Sequence, residues 1–354
     1  MKLRSLHIED YKIFKDFDID FLDSNNNPLD VVVLAGVNGS GKTTLFEFII
    51  NYFQYEKNKL IAESQGKTFG LGGGYSFGSL IKTDFIDTIK NDSVSKIMTK
   101  MINKNNIIYL SAGQDNILDV KESIFEHYRR LSREYSHKEA LKDIQDFLNT
   151  IFNDDMGITF TIEDIDIVVR ENEKVIFKNS SGATFDIESL STGEKTLLSK
   201  VLYLYFKDYK NEVILIDEPE LSLHPSWQNK VLKIYKNFAK LNNCQVIIAT
   251  HSPHIIASAD NKYIRFLEKN EEGNIIVVND IEAYGRDINW VLEQMGVKNL
   301  RVSDVLEQFT KCQQFLNERK YDEAEECIDA LEEKIGKNDK QIMSLRNALF
   351  FERD

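Results

Sequence analysis

The stretch "GVNGSGKT", Gly36 to Thr43, fits the spacing G-x-x-x-x-G-K-[ST]. Glycines at these positions let backbone N–H groups converge on phosphate oxygens without side-chain clash, and a helix beginning there adds partial positive charge. Lys42 can reach the outer phosphates of a nucleoside triphosphate, and the Thr43 hydroxyl can ligate Mg²⁺. Gly36, Asn38, Gly39, Ser40, Gly41, Lys42, Thr43 and Thr44 are the expected nucleotide contacts. A glycine-rich turn with a chance lysine is the plain alternative. The context disfavours it: "DVVVLAG" before it is a β-branched run typical of a buried strand, and "LFEFIINYF" after it has helical spacing.

A second acidic element sits far along the chain. In "VILIDEPE", apolar residues end in Asp217 and Glu218, two carboxylates at the carboxyl end of a strand, where open α/β sheets place ligands. Asp217 is expected to hold the metal and Glu218 to orient and deprotonate an attacking water. Alone, the pair would read as solvated acids closing a strand. "SLSTGEK", Ser189 to Lys195, precedes it and taken alone is a helix start with Ser191 as a capping residue. "CQVIIAT" is a further buried strand, followed by His251.

The elements that must position these residues follow from periodicity. "KLRSLHIEDY" and "FDIDFLD" alternate, predicting two antiparallel strands. A short strand is expected in "NNIIYLSAG", a charged helix from about Asp119 to Phe152, and a hairpin from "ITFTIEDIDIVV" and "KVIFKNSSGATFDIESL". Helices are expected in "GEKTLLSKVLYLYF" and from Gln228 to Leu241, strands in "KYIRFLE" and "NIIVVND", and helix from about Asp287 onward. Buried strands alternating with helices predict an α/β fold with a mixed sheet, an antiparallel N-terminal part and an inserted, mostly helical lobe.

The order of the phosphate loop, "LSTGE" (Leu190 to Glu194), "LIDEPE", "LSLHP" (Leu221 to Pro225) and "ATHSP" (Ala249 to Pro253) resembles ABC-type ATPases, most closely the soluble branch of SMC, RecF and OLD-family heads. The resemblance implies ATP and Mg²⁺ as cofactors and a head-to-head homodimer. In it, Ser191 and Gly193 of one subunit cap the γ-phosphate held by the other subunit's phosphate loop. By the same resemblance His251 senses the γ-phosphate, Ser222 and His224 lie in a dimer-contacting segment, and Gln114 stands where a Mg²⁺- and water-sensing glutamine could lie. The tail "YGRDINWVLEQMG" with "ERKYDEAEECIDALEEKIG" is similar to C-terminal regions of PtuA-like bacterial defence ATPases. That similarity implies a regulatory ATPase acting on a separately encoded effector, with a RecF-like DNA-repair or DNA-clamp ATPase as the alternative.

The expected organisation is a nucleotide-binding core at 1–54 and 185–285, an inserted lobe at 55–184, and a helical partner-binding region at 286–354. The apolar spacing of Ala324, Cys327, Ile328 and Leu331 suits a helical hairpin. The interval between Thr43 and Ser191 is too short for an SMC coiled-coil arm, and no spaced acidic triad of a TOPRIM nuclease is expected. Arg130 and His137 have an Arg-x6-His spacing resembling HEPN ribonucleases, but the surrounding charged helix accounts for both. "GLGGGY", Gly70 to Tyr75, lacks the lysine–hydroxyl ending and reads as a loop.

Across the 354 residues, 57 acidic and 44 basic side chains give a net charge of -13, which argues against a generic nucleic-acid coat while leaving room for a local basic strip. No apolar run reaches the length of a spanning helix. Cys244, Cys312 and Cys327 lack metal spacing, and reduced thiols in a cytoplasmic protein are expected.

Overall fold

Five strands run parallel, and the inner three are mostly apolar because both faces of the sheet are covered there. In the computed structural model, which describes residues 1–65, 80–83, 107–111, 120–152, 160–166, 174–179, 182–278, 281–297 and 301–353, all five belong to a six-stranded sheet. These strands are β3 (Val31–Ala35), β5 (Ile107–Leu110), β9 (Val213–Asp217), β10 (Gln245–Thr250) and β11 (Ile264–Lys269). The sixth, β12 (Ile275–Val278), runs antiparallel to β11, and the order is β12-β11-β3-β10-β9-β5. Every residue of β3, β9 and β10 is buried.

The N-terminal strands β1 (Leu3–Tyr11) and β2 (Phe14–Asp20) pair antiparallel as expected, and β4 (Leu80–Thr83) adds to β1. The inward side chains of β1 and β2 share one core with the sheet and with α1 (Lys42–Ser64), which includes Phe14, Phe21, Phe46 and Phe48. The hairpin is the three-stranded sheet β6 (Phe160–Asp166), β7 (Lys174–Asn179) and β8 (Thr184–Asp186).

The single charged helix expected over 119–152 is two, α2 (Val120–Leu131) and α3 (His137–Ile151). Ser136 breaks it: its hydroxyl accepts from Glu139 N while the Glu139 carboxylate takes the Ser136 N–H, a reciprocal cap that starts a new helix. Further on lie α4 (Thr192–Phe206), α5 (Pro225–Asn242) and α6 (Pro253–Ser258). The chain begins α5 three residues earlier than expected, because Pro225 suits the first helical turn and His224 caps it.

The chain separates into two compact units, Met1–Val291 and Leu292–Asp354. The second contains α8 (Ser303–Asn317), α9 (Tyr321–Ile335) and α10 (Lys340–Arg353), after the short α7 (Ile288–Gln294) at the boundary. Its core is Phe309, Cys312, Leu316, Ile328, Leu331 and Leu345, a bundle of three helices where a hairpin was expected. Cys312 and Cys327 are joined as a disulfide with Cα atoms 5.6 Å apart, which corrects the expectation of reduced thiols. Packing α8 on α9 brings the two within bridging distance, a juxtaposition sequence spacing does not reveal. No helix among the described residues is long and apolar enough to cross a membrane.

Candidate functional site

Strand register brings the separated motifs together. Thr250 pairs with Ala35 across β10 and β3, and Ala249 with Asp217 across β10 and β9. Gly36, Asp217 and His251 therefore emerge at one carboxyl edge of the sheet, at neighbouring positions.

The loop after β3 turns sharply. A Cβ at Gly36 would stand 2.5 Å from the Leu267 carbonyl oxygen and 2.6 Å from Ser40 Oγ, so only glycine fits there. Asn38, Gly39 and Thr43 are exposed at the loop surface, while Ser40 and Lys42 are buried. Lys42 Nζ donates to the carbonyl oxygens of Gly36 at 2.8 Å and Val37 at 3.0 Å, and lies 3.3 Å from Ser40 Oγ. Burial pushes its pKa down, while the charges of Glu218, Asp217 and Glu220 oppose that shift. The ammonium is thus held inside the loop where phosphate oxygens would arrive.

Thr43 Oγ1 donates to Asp217 Oδ2 at 2.8 Å, across 174 positions of sequence. The Tyr109 hydroxyl, from β5, donates to the same oxygen at 3.2 Å. Asp217 Oδ1 is buried without a hydrogen-bond partner among the described residues. Burial raises the Asp217 pKa, and the two hydroxyl donors hold it down. An unpartnered carboxylate oxygen beside a hydroxyl is a donor set that fits a hard divalent cation.

Glu218 leaves the strand in a left-handed conformation, φ 47°, held by its N–H to the Ala249 carbonyl at 2.8 Å. That turn directs the chain toward β10. Glu218 Oε1 lies 3.1 Å from His251 Nδ1, so the expected base and the expected sensor are neighbours. Glu220 lies deeper, only 6% exposed. Its Oε1 accepts from Thr250 Oγ1 at 2.6 Å and from the His251 N–H at 3.1 Å.

Ser191 caps α4 and forms a reciprocal box with Glu194, whose carboxylate takes both the Ser191 N–H and hydroxyl. Ser191 and Thr192 are exposed, and Gly193 is buried. A Cβ on Gly193 would meet the Ser222 carbonyl oxygen at 2.9 Å, so glycine here serves packing against the loop after Glu220. His224 caps α5, its Nδ1 2.8 Å from Ser226 Oγ.

Gln114 and Gly70–Tyr75 lie outside the described residues. Arg130 and His137 have different partners: Arg130 donates to His127 Nδ1 at 2.9 Å, whereas His137 contacts the Tyr128 hydroxyl and lies 3.3 Å from Asp164. Two residues of the site escaped sequence reading. Tyr109 sits in the apolar run "IIYL" and Glu220 follows Asp217 and Glu218 in "DEPE"; neither has a spacing that marks it.

Comparison with known proteins finds similar sequences and structures. Residues 128–257 match a family described as "AAA domain, putative AbiEii toxin, Type IV TA system". That range includes Ser191, Asp217, Glu218 and His251 but not the loop at Gly36–Thr43. The retron Vc95 probable ATPase of Vibrio cholerae is 26% identical over 269 residues, 69% of this chain and 49% of the relative. The Septu protein PtuA of Bacillus mycoides is 22% identical over 389 residues, 99% and 52%. Its Bacillus thuringiensis counterpart is 25% identical over 345 residues, 81% and 83%. The chain thus spans about half the length of the first two relatives. Among solved structures, the SMC head domain from Thermotoga maritima is similar at 15% identity with a TM-score of 0.43, covering 79% of this chain and 100% of that one. Over residues 128–257 the chain is thus similar to that AAA domain family, and it is similar in sequence to Septu and retron ATPases.

Proposed function

We propose that this chain binds and hydrolyses ATP, dimerises head to head around it, and so regulates a separately encoded effector in bacterial defence against phage. The carrying observation is the strand register that sets the Gly36–Thr43 loop, Asp217 and His251 on one edge, with Thr43 bonded to Asp217 at 2.8 Å. Backbone N–H groups of the loop and Lys42 receive the β- and γ-phosphates. Thr43 and Asp217 would hold Mg²⁺, which supplies charge neutralisation on the transferred phosphoryl group. Glu218 takes the proton of the attacking water as its oxygen bonds to the γ-phosphorus; the bond to the ADP oxygen breaks and phosphate leaves. His251, 3.1 Å from Glu218, stands where it can follow the γ-phosphate. In the dimer, Ser191 and the Gly193 N–H would close the partner's site. ATP then favours the closed dimer, and hydrolysis removes the bridge. Glu218→Gln tests the reading: it should bind ATP and accumulate as dimer in light scattering, with turnover reduced by about 10²-fold or more. Unchanged turnover removes Glu218 from the mechanism.

One observation favours a second reading, contact with a nucleic-acid backbone. From Glu220 the next acidic residue is Asp260, yet α5 carries Lys230, Lys233, Lys236 and Lys240. Among the described residues Lys230, Lys236 and Lys240 have no carboxylate partner; instead Lys230 lies 5.1 Å over Trp227 and Lys236 4.8 Å over Tyr263. Beside them runs a groove of about 680 Å³ that includes Lys233, Lys236, Tyr263 and Tyr284. Oligonucleotide binding measured against salt checks it: Lys236→Glu with Lys240→Glu should flatten the log–log slope by about 1.5. An unaltered slope ends this reading.

A further inference from the structure

We propose that Glu220 and Gln228 are positioning residues that tie the turn at Ser191–Gly193 to His251, so that engagement at one nucleotide site is felt at the other. The inference rests on the functional reading above and names a coupling within its site.

A continuous polar path carries it. Glu220 Oε1 fixes the backbone of His251 and the hydroxyl of Thr250, at 3.1 and 2.6 Å. Thr250 Oγ1 in turn accepts the Ser252 N–H at 2.9 Å, so the whole turn after β10 follows the carboxylate. Ser252 Oγ donates to Gln228 Oε1 at 2.7 Å, and Gln228 Nε2 donates to the Leu223 carbonyl at 3.0 Å. Leu223 and the Ser222 carbonyl are the groups against which Gly193 packs. The path thus runs from His251 to the opening turn of α4.

The second connection is electrostatic. Lys200, on α4, is half-buried; desolvation lowers its pKa and the charge of Glu220 raises it. Glu220 Oε2 is itself buried with no hydrogen-bond partner among the described residues. A buried carboxylate with an unused oxygen is costly unless a cation balances it. Movement of α4 therefore changes the balance at Glu220, and Glu220 holds His251. Shifts of a few tenths of an ångström suffice, because a packed interior transmits displacement.

Replacing Glu220 itself risks the fold, so the test uses Gln228→Met and Lys200→Met, singly and together. Turnover of the natural sequence should rise sigmoidally with ATP. Each single variant should keep the monomer's affinity for ATP within about twofold, lower kcat about tenfold and make the ATP dependence hyperbolic, and the double variant should be no worse than the worse single one. Hyperbolic dependence in the natural sequence, additive losses, or variants that melt earlier with unchanged steepness overturn the proposal. Glu218→Gln and Ser191→Arg are measured alongside. If Glu218→Gln hydrolyses normally, Glu218 alone leaves the mechanism; if Ser191→Arg still dimerises with ATP, the functional reading fails and the coupling with it. If both behave as expected and the coupling is absent, the coupling alone falls.

Discussion

At the scale of single residues the site is organised by one buried carboxylate. Asp217 is pushed up by burial and held down by hydroxyl donors from Thr43 and Tyr109. Removing a donor to the charged form leaves burial less opposed, so Tyr109→Phe should raise the Asp217 pKa. Because only the ionised carboxylate suits a cation, the acid limb of the turnover profile should move to higher pH, while the alkaline limb stays in place. A profile that superimposes on that of the natural sequence would show that Tyr109 does not reach Asp217. The residues that sequence exposed at this scale were those with fixed local spacing, Gly36 to Thr43 and Asp217 with Glu218. Tyr109 and Glu220 could not be found that way. Their roles come from β5 and β10 lying on either side of β9, a matter of strand order that no local pattern encodes.

Between residues and the molecule stand the elements, and here α4 is the informative one. Gly193 looked like a residue that admits a phosphate. In the structure its missing Cβ also admits the Ser222 carbonyl at 2.9 Å. Gly193→Ala should therefore destabilise the first unit by about 1–3 kcal/mol through overpacking, before any nucleotide is added. Thermal melting without ATP checks this; an unchanged midpoint would leave phosphate approach as the sole reason for glycine. The cap of α3 gives a simpler case: Ser136→Ala should cost about 1 kcal/mol, read as a lower melting midpoint. That cap was visible as Ser136 and Glu139 three apart, yet the surrounding charged periodicity hid the break between α2 and α3. The buried strands were legible for the opposite reason. Runs such as "VVVLA" and "VILID" leave few alternatives to a covered parallel sheet, whereas the disulfide and β4 depend on contacts between distant segments.

For the whole molecule, the account depends on each nucleotide being completed by a second copy. Ser191 is exposed, as the proposed contact with a partner copy requires. Ser191→Arg should leave ATP binding by the monomer within about threefold and abolish ATP-dependent dimerisation, since a long cation at the interface both clashes and repels Lys42. The most direct measurement mixes two inactive chains. Lys42→Ala spoils the phosphate loop and Ser191→Arg spoils the capping turn, so each alone has no complete site. A mixed dimer pairs the intact loop of one with the intact turn of the other, and equal mixing should restore turnover clearly above either chain alone, to at most about a quarter of the natural rate, less as the two sites are coupled. If the mixture stays as inactive as its components while both chains remain folded, or if Ser191→Arg alone turns over ATP normally, the shared site does not exist.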